Sequence, residues 1–212
     1  AGAQTYEASI AASDPALGDG FGRAVAVSVD TALVGADLKA GGQGAAYVYR
    51  RNAGVWSQEA KLAPPGSGQQ AGQSVDVAGN RALLGAPQPF NPFAPGGAGT
   101  VHVYDRTGVA WGLSQSLTTA DAQANDQFGQ SVALGVGRLA GGAVGDESAG
   151  PGSRFGGRGA VYVFRQQGTW VQEQKLVPAD PVSGDRAGTA VDLTDDLCLT
   201  GAPGKAAGAG AA

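Results

Sequence analysis

The sequence is poor in the residues that carry chemistry. Its 212 residues include one cysteine, Cys198, and one histidine, His102. A lone cysteine excludes an intrachain disulfide framework and a cysteine metal cluster. Cys198 lies between Leu197 and Leu199, which fits a small buried residue of an inner strand better than a reactive thiol. Charged residues make up only 15% and the net charge is −4. That balance argues against nucleic-acid binding, which needs clustered Lys and Arg against phosphates. No apolar run is long enough to span a bilayer, and no signal peptide or lipidation motif is visible. Nucleophile-elbow, phosphate-loop and metal-ligand motifs are missing too. The chain does not begin with Met, as expected of a processed or excised piece, so export is not legible in it directly.

Glycine is what the sequence has in excess, with 37 residues, far above the usual share. These glycines fall at fixed intervals. Gly22, Gly72, Gly129 and Gly188 are each followed 13 positions later by a Gly-Ala pair, at Gly35, Gly85, Gly142 and Gly201. Ala-Tyr-Val-Tyr at 46–49, Val-His-Val-Tyr at 101–104 and Val-Tyr-Val-Phe at 161–164 come next, each followed by Trp56, Trp111 or Trp170 and, six residues on, by Leu62, Leu117 or Leu176. The period is 50 to 59 residues, and self-similarity on that scale marks a repeat architecture.

Within each unit the apolar residues alternate at period two, as in Val25 and Val27, Val75 and Val77, Val132 and Leu134, Val191 and Leu193. This is a strand pattern, and no stretch has a helical apolar period. Turn formers at Asp30, Gly79-Asn80, Gly137 and Asp195-Asp196 divide each unit into four short antiparallel strands. Four-stranded units of this length predict an all-β fold of β-propeller blades.

Phe21-Gly22 and Phe128-Gly129, Gly-Ala-Pro at 85–87 and 201–203, and Gly-Ala-Val-Tyr-Val-Phe at 159–164 resemble FG-GAP repeats, as in bacterial surface proteins and the integrin alpha-subunit propeller. The resemblance covers nearly the whole chain. Ala71 and Ala187 replace the Phe, and Asp37 and Val144 stand at the Pro position. The resemblance implies a secreted or cell-surface setting.

Residues 1–20 are expected to hold the outer strand of a preceding blade, at Tyr6 to Ile10, and an inter-blade loop. Blade one is expected at 21–63, blade two at 71–118, blade three at 128–177, and a partial blade four, with strands one and two only, at 187–212. The expected whole is an incomplete propeller of about three and a half blades. Residues 201–212, GAPGKAAGAGAA, match 35–46, GADLKAGGQGAA, after which unit one continues into its third strand. A fragment of a longer propeller is therefore expected, with self-association through its open blade edges.

Antiparallel order places the loops between strands two and three, and those joining blades, on one face. On the other face the spacing hardly varies: from the third-strand Val to Trp it is 8, 8 and 7. On the first face the distance from Gly-Ala to Val48, Val103 and Val163 grows from 13 to 18 to 21. Variable loops on a rigid scaffold point to binding. In the blade-two loop, Phe90, Asn91 and Phe93 stand among four prolines and form a candidate contact for a protein or glycan; the alternative is that the rings fold back over the blade. Arg154, Phe155 and Arg158 extend the candidate surface in blade three, where a solvated Gly-rich loop is the plainer reading.

The carboxylate pairs Asp14 and Asp19, Asp121 and Asp126, Asp180 and Asp185 are each five apart and end three before the opening Gly. Such residues usually accept hydrogen bonds from nearby backbone amides, with calcium as the alternative. The calcium loops of integrin-like members lie between strands one and two, and hairpins as short as Val29 to Ala32 have no room for one. No cofactor is expected. His102, mid-strand where the other units have Tyr47 and Tyr162, reads as a packed residue rather than a catalytic base. A non-catalytic extracellular binding or adhesion module is the leading expectation. The alternatives are a structural spacer in a larger secreted protein, or the non-catalytic part of a secreted enzyme whose active site lies elsewhere.

Overall fold

Short hairpins organise each unit. Val29-Asp30 and Gly79-Asn80 join strands rich in Val, Ala and Leu, whose alternate side chains face opposite sides. The computed structural model describes residues 8–66, 68–88, 97–147 and 157–212. The strands form three four-stranded antiparallel sheets and one two-stranded sheet, so the all-β, incomplete-propeller architecture expected from the sequence is present. The first sheet comprises β1 (Phe21–Ser28), β2 (Thr31–Ala36), β3 (Ala45–Asn52) and β4 (Val55–Leu62). The second comprises β5 (Ser74–Ala78), β6 (Arg81–Ala86), β7 (Thr100–Thr107) and β8 (Ala110–Leu117). The third comprises β9 (Phe128–Leu134), β10 (Arg138–Ala143), β11 (Ala160–Gln167) and β12 (Thr169–Leu176). The last is the hairpin of β13 (Ala190–Leu193) and β14 (Cys198–Gly201). Strands are ordered sequentially in every sheet, and the first strands β1, β5, β9 and β13 contact one another in series.

Two features differ from the sequence reading. Single helical turns, α1 (Lys39–Gly42) and α2 (Lys205–Gly208), occupy corresponding places in units one and four, with Ala40, Gly41, Ala206 and Ala207 in the left-handed region. One turn is too short to show an apolar period. Residues 8–10 belong to no sheet, and Tyr6 lies outside the described residues. Ile10 and Ala12 instead pack on Val34, Tyr47 and Tyr49 of blade one.

The core lies between blades. Leu33, Val48 and Leu62 of blade one meet Val77, Leu84 and Tyr104 of blade two. Leu83, Val103 and Leu117 of blade two meet Phe128, Leu139, Tyr162 and Trp170 of blade three. Phe128 is fully buried, edge-on to Tyr162 at 5.8 Å, as Phe21 is to Tyr47 at 5.6 Å. Arg106 of blade two donates both arms of its guanidinium to Glu59 of blade one, at 2.7 and 2.8 Å. The Trp111 indole N–H joins the same carboxylate at 2.7 Å.

The repeated glycines set how closely blades approach. A methyl group on Gly35, Gly85 or Gly142 would lie 2.0, 2.1 or 2.0 Å from the carbonyl oxygen of Gly72, Gly129 or Gly188 in the next blade. Those partner glycines have φ of 89°, 92° and 88°, a region L residues avoid. The two repeated motifs are therefore the two halves of one joint. Beside it, short parallel bridges join Gly44 to Ala71, Gly99 to Phe128 and Gly159 to Ala187.

Candidate functional site

Tight hairpins lie at one end of the blades. The other end carries the connections between second and third strands, described at 37–44, 87–88, 97–99, 144–147 and 157–159, together with the inter-blade loops. The feet of these loops are fastened in the same way in each unit. At the outgoing foot, Leu38 N–H donates to Asp19 O at 3.1 Å, Gln88 N–H to Gln69 O at 3.2 Å, Gly145 N–H to Asp126 O at 3.0 Å and Gly204 N–H to Asp185 O at 3.1 Å. At the returning foot, Gln43 O accepts from Ala71 N–H at 3.2 Å, Ala98 O from Phe128 N–H at 2.8 Å and Arg158 O from Ala187 N–H at 3.0 Å. Loops of different length thus rise from a common base.

Side chains reinforce that base. Asp19, Asp126 and Asp185 each accept the backbone N–H three residues upstream, from Ala16, Gln123 and Val182, at 2.7, 2.7 and 2.8 Å. Lysines then draw the carboxylates together. Lys39 donates to Asp19 at 2.8 Å and to the Asp14 carbonyl, and Lys61 donates to Asp14 at 2.7 Å. Lys205 lies 2.8 Å from Asp180 and donates to Asp185 at 3.2 Å. Lys175 reaches Asp121 at 2.7 Å and Asp146 at 2.9 Å. The Tyr47 hydroxyl donates to Asp14 at 2.6 Å and the Tyr162 hydroxyl to Asp121 at 2.8 Å.

These contacts govern the ionisation of the base. The bond from Lys61, then that from Tyr47, holds Asp14 well below the usual carboxylate range; Lys39 does the same for Asp19 and Lys205 for Asp180. Burial alone would raise Asp121, but Lys175 and Tyr162 outweigh it and leave it low. Blade three breaks the pattern, because Asp146 stands four residues after Gly142, where Lys39 and Lys205 follow Gly35 and Gly201. Three carboxylates thus gather around Lys175, and Asp126, pushed up mainly by burial and then by Asp146, reaches about 6.

Blade two replaces the whole set. Gln69 stands where the other units have Asp19, Asp126 and Asp185, and Ser116 where they have Lys61 and Lys175. His102, only 2% exposed, places Nε2 3.0 Å from Gln69 Oε1 and Nδ1 2.8 Å from Ser116 Oγ. A carboxamide oxygen only accepts, so Nε2 carries the proton and Nδ1 accepts from the serine hydroxyl. Burial lowers the imidazole to about 4.

Of the candidate contacts, Phe90, Asn91, Phe93, Arg154 and Phe155 lie outside the described residues. Arg158 is half-buried at a returning foot, where its carbonyl accepts from Ala187 N–H at 3.0 Å. Of the three aspartate pairs, Asp14 and Asp19 meet on Lys39 and Asp180 and Asp185 on Lys205, whereas in blade three Lys175 joins Asp121 to Asp146 and Asp126 binds the Gln123 amide instead. Among the described residues no group of three or more His, Cys, Asp or Glu is arranged to hold a metal ion. Sequence reading missed Lys39, Lys61, Lys175 and Lys205. The signal was present, since Lys39 and Lys205 share one offset from Gly-Ala, and Lys61 and Lys175 share one from Trp.

A cleft of about 490 Å³ lies between β12 and the β13–β14 hairpin, lined by Arg138, Glu173, Leu193, Asp195, Leu197 and Cys198. Burial, then Asp192, pushes the Cys198 thiol up, opposite to the shift that activates a nucleophilic cysteine. Cys198 is half-buried rather than buried as expected, because β14 has no strand paired on its far side among the described residues.

An FG-GAP repeat family model matches residues 5–49, 111–164 and 170–212. Among solved structures, the computationally designed Ika4 protein is similar in fold, with a TM-score of 0.52 at 16% identity over 94% of this chain and 92% of that one. Nothing among curated proteins matches the chain at a significant level.

Proposed function

Because the chain belongs to the FG-GAP repeat family, we propose that it is a non-catalytic extracellular binding or adhesion module that contacts a protein or glycan through the loops of its variable face. The observation behind this reading is the common fastening of loop feet beneath loops of unequal length. A base fixed by backbone bonds and lysine–aspartate pairs lets loop sequence vary without disturbing the blades, which is how rigid scaffolds present binding residues. In this reading Phe90, Asn91 and Phe93 supply an aromatic contact, and Arg154, Phe155 and Arg158 extend it. The secreted or cell-surface setting rests on the family.

The chemistry inventory supports a role without catalysis. The sole histidine is buried with both nitrogens engaged, and the thiol is shifted away from its reactive form. Asp126 has a raised pKa but is buried and bonded to a backbone amide, so it has no open path to a substrate. The reading assigns no cofactor. Calcium titration followed by thermal shift is expected to leave the melting temperature unchanged; a saturable rise would assign calcium to the aspartate loops.

A glycan array and a panel of extracellular-matrix proteins test the binding role. Retention of one class is expected, with loss on replacing Phe90 and Phe93 by Ser at unchanged melting temperature. Binding that survives the double substitution removes that contact. No retention by any partner favours the structural-spacer reading.

A further inference from the structure

Blade three departs from units one and four at one position of the loop base. Four residues after Gly35, Gly142 and Gly201 stand Lys39, Asp146 and Lys205. In each unit the carbonyl of that residue closes the connection to the third strand, accepting the N–H of Gly44 at 2.9 Å, Gly159 at 3.1 Å and Gly210 at 2.9 Å. The side chains have opposite charge. Lys39 and Lys205 reach Asp19 and Asp185, whereas Asp146, only 4% exposed, adds a carboxylate to a base that already holds Asp126, 5% exposed. Its partners are the Tyr162 hydroxyl of β11 and Lys175 of β12. Both are shared with Asp121, at 2.8 and 2.7 Å. The base of blade three therefore sets Asp121, Asp126 and Asp146 against Lys175, while that of blade one sets Asp14 and Asp19 against Lys39 and Lys61.

We propose that Asp146 makes the base of the blade-three connection a proton-operated clasp, loosened while Asp126 and Asp146 are both ionised and tightened when the pair takes up one proton. Blade one supplies the comparison. Asp19 and Asp126 hold the same place, and each accepts the amide three residues upstream at 2.7 Å. Yet Lys39 holds the Asp19 carboxyl below its usual range, while burial, followed by Asp146, pushes the Asp126 carboxyl up to about 6. Lys175 works against that rise, and Asp121 adds to it. Like charges withdrawn from water at one site oppose each other's ionisation. The residues that repel are also those that fasten the connection, since Asp126 O accepts Gly145 N–H at 3.0 Å and Asp146 O accepts Gly159 N–H at 3.1 Å. Repulsion between the two side chains thus acts on both backbone bonds. A proton on Oδ1 of Asp126 ends that repulsion, leaves the Gln123 amide on Oδ2, and leaves Lys175 to balance Asp121 and Asp146. Because the folded pKa lies above that of free aspartate, the clasp gains strength as pH falls through about 6. Asp14 and Asp19, held low by their lysines, stay ionised through the same range. The clasp lies in the base, so it operates whatever the loop above it contacts.

Amide hydrogen exchange on the full chain, followed by NMR and expressed as protection factors so that the intrinsic pH dependence of exchange drops out, tests the proposal. Between about pH 7 and 5, protection at Gly145 and Gly159 should rise about tenfold. No rise is expected at Leu38 and Gly44, which hold the corresponding places in blade one. Asp146→Lys installs the residue type that units one and four carry there and should abolish the rise with the fold kept. Asp126→Asn should abolish it by removing the titrating group. Wild-type protection at Gly145 and Gly159 that does not change with pH overturns the proposal. So does an equal rise at Leu38 and Gly44, or a rise that persists in Asp146→Lys. Should that variant fail to fold, Asp146→Asn keeps the side-chain size, and an undiminished rise in it overturns the proposal in the same way.

Discussion

His102 and Asp126 titrate in one pH window with opposite effects on stability. The histidine falls from 6.5 in the unfolded chain to about 4 in the fold. The unfolded state therefore takes up the proton first, and acidification from about 6.5 to 4 removes about 3 kcal/mol. Asp126 rises from 3.8 to about 6, so the folded state takes up its proton first and gains about 3 kcal/mol as pH falls from about 6 to 4. The two slopes nearly cancel in the wild type. Urea unfolding between pH 6.5 and 4 should show stability rising on acidification in His102→Gln and falling in Asp126→Asn; parallel curves for both variants would contradict this assignment. The glycines allow a second comparison. Gly85→Ala drives a methyl group onto the Gly129 carbonyl and should cost about 1–3 kcal/mol by overpacking. Gly201→Ala meets nothing closer than 3.7 Å and should leave the melting temperature unchanged. Phe128→Ala empties a fully buried site and should cost about 3–5 kcal/mol.

The loop base is the element that joins fold to function. Its lysines tie residues far apart in sequence, as Lys175 does to Asp121 and Lys39 to Asp14. Lys39→Met is expected to speed hydrogen exchange at the Leu38 and Gly204 positions unequally, with a large effect at Leu38, beside the lost ion pair, and none at Gly204 in the other unit. Equal rates at Leu38 in variant and wild type would show that backbone bonds alone hold the loop. Much of this level was legible. The fixed separation of Gly22 from Gly35, and of its three repeats, marked the repeat unit, and the structure shows why glycine recurs there: these positions are the two halves of the blade joint, where a close backbone approach leaves no room for a side chain. The lysine contacts were not read, because side chains that meet across loops leave only a shared offset between copies. Replacement of the ionic set in blade two by His102, Gln69 and Ser116 hid that offset further. The single-turn α1 and α2 left no periodicity to find.

For the molecule as a whole, repetition fixes the scaffold, and in the proposed reading the variable face carries function. The all-β propeller architecture followed from strand alternation and the recurring Gly-Ala pairs, and the sheets contain those strands in sequential order. The ligand was not legible in the same way, since the loops that differ between units have no second copy against which to be read. The common base permits a direct test. Replacing residues 87–99 by the shorter 37–44 segment exchanges one loop for another that starts and returns on corresponding backbone bonds. Affinity for the partner retained by the wild-type chain, measured together with thermal unfolding, tests the central claim that this face is a binding surface on an independent scaffold. The account predicts lost binding with a melting temperature close to wild type. Undiminished affinity in the folded exchange variant would contradict it.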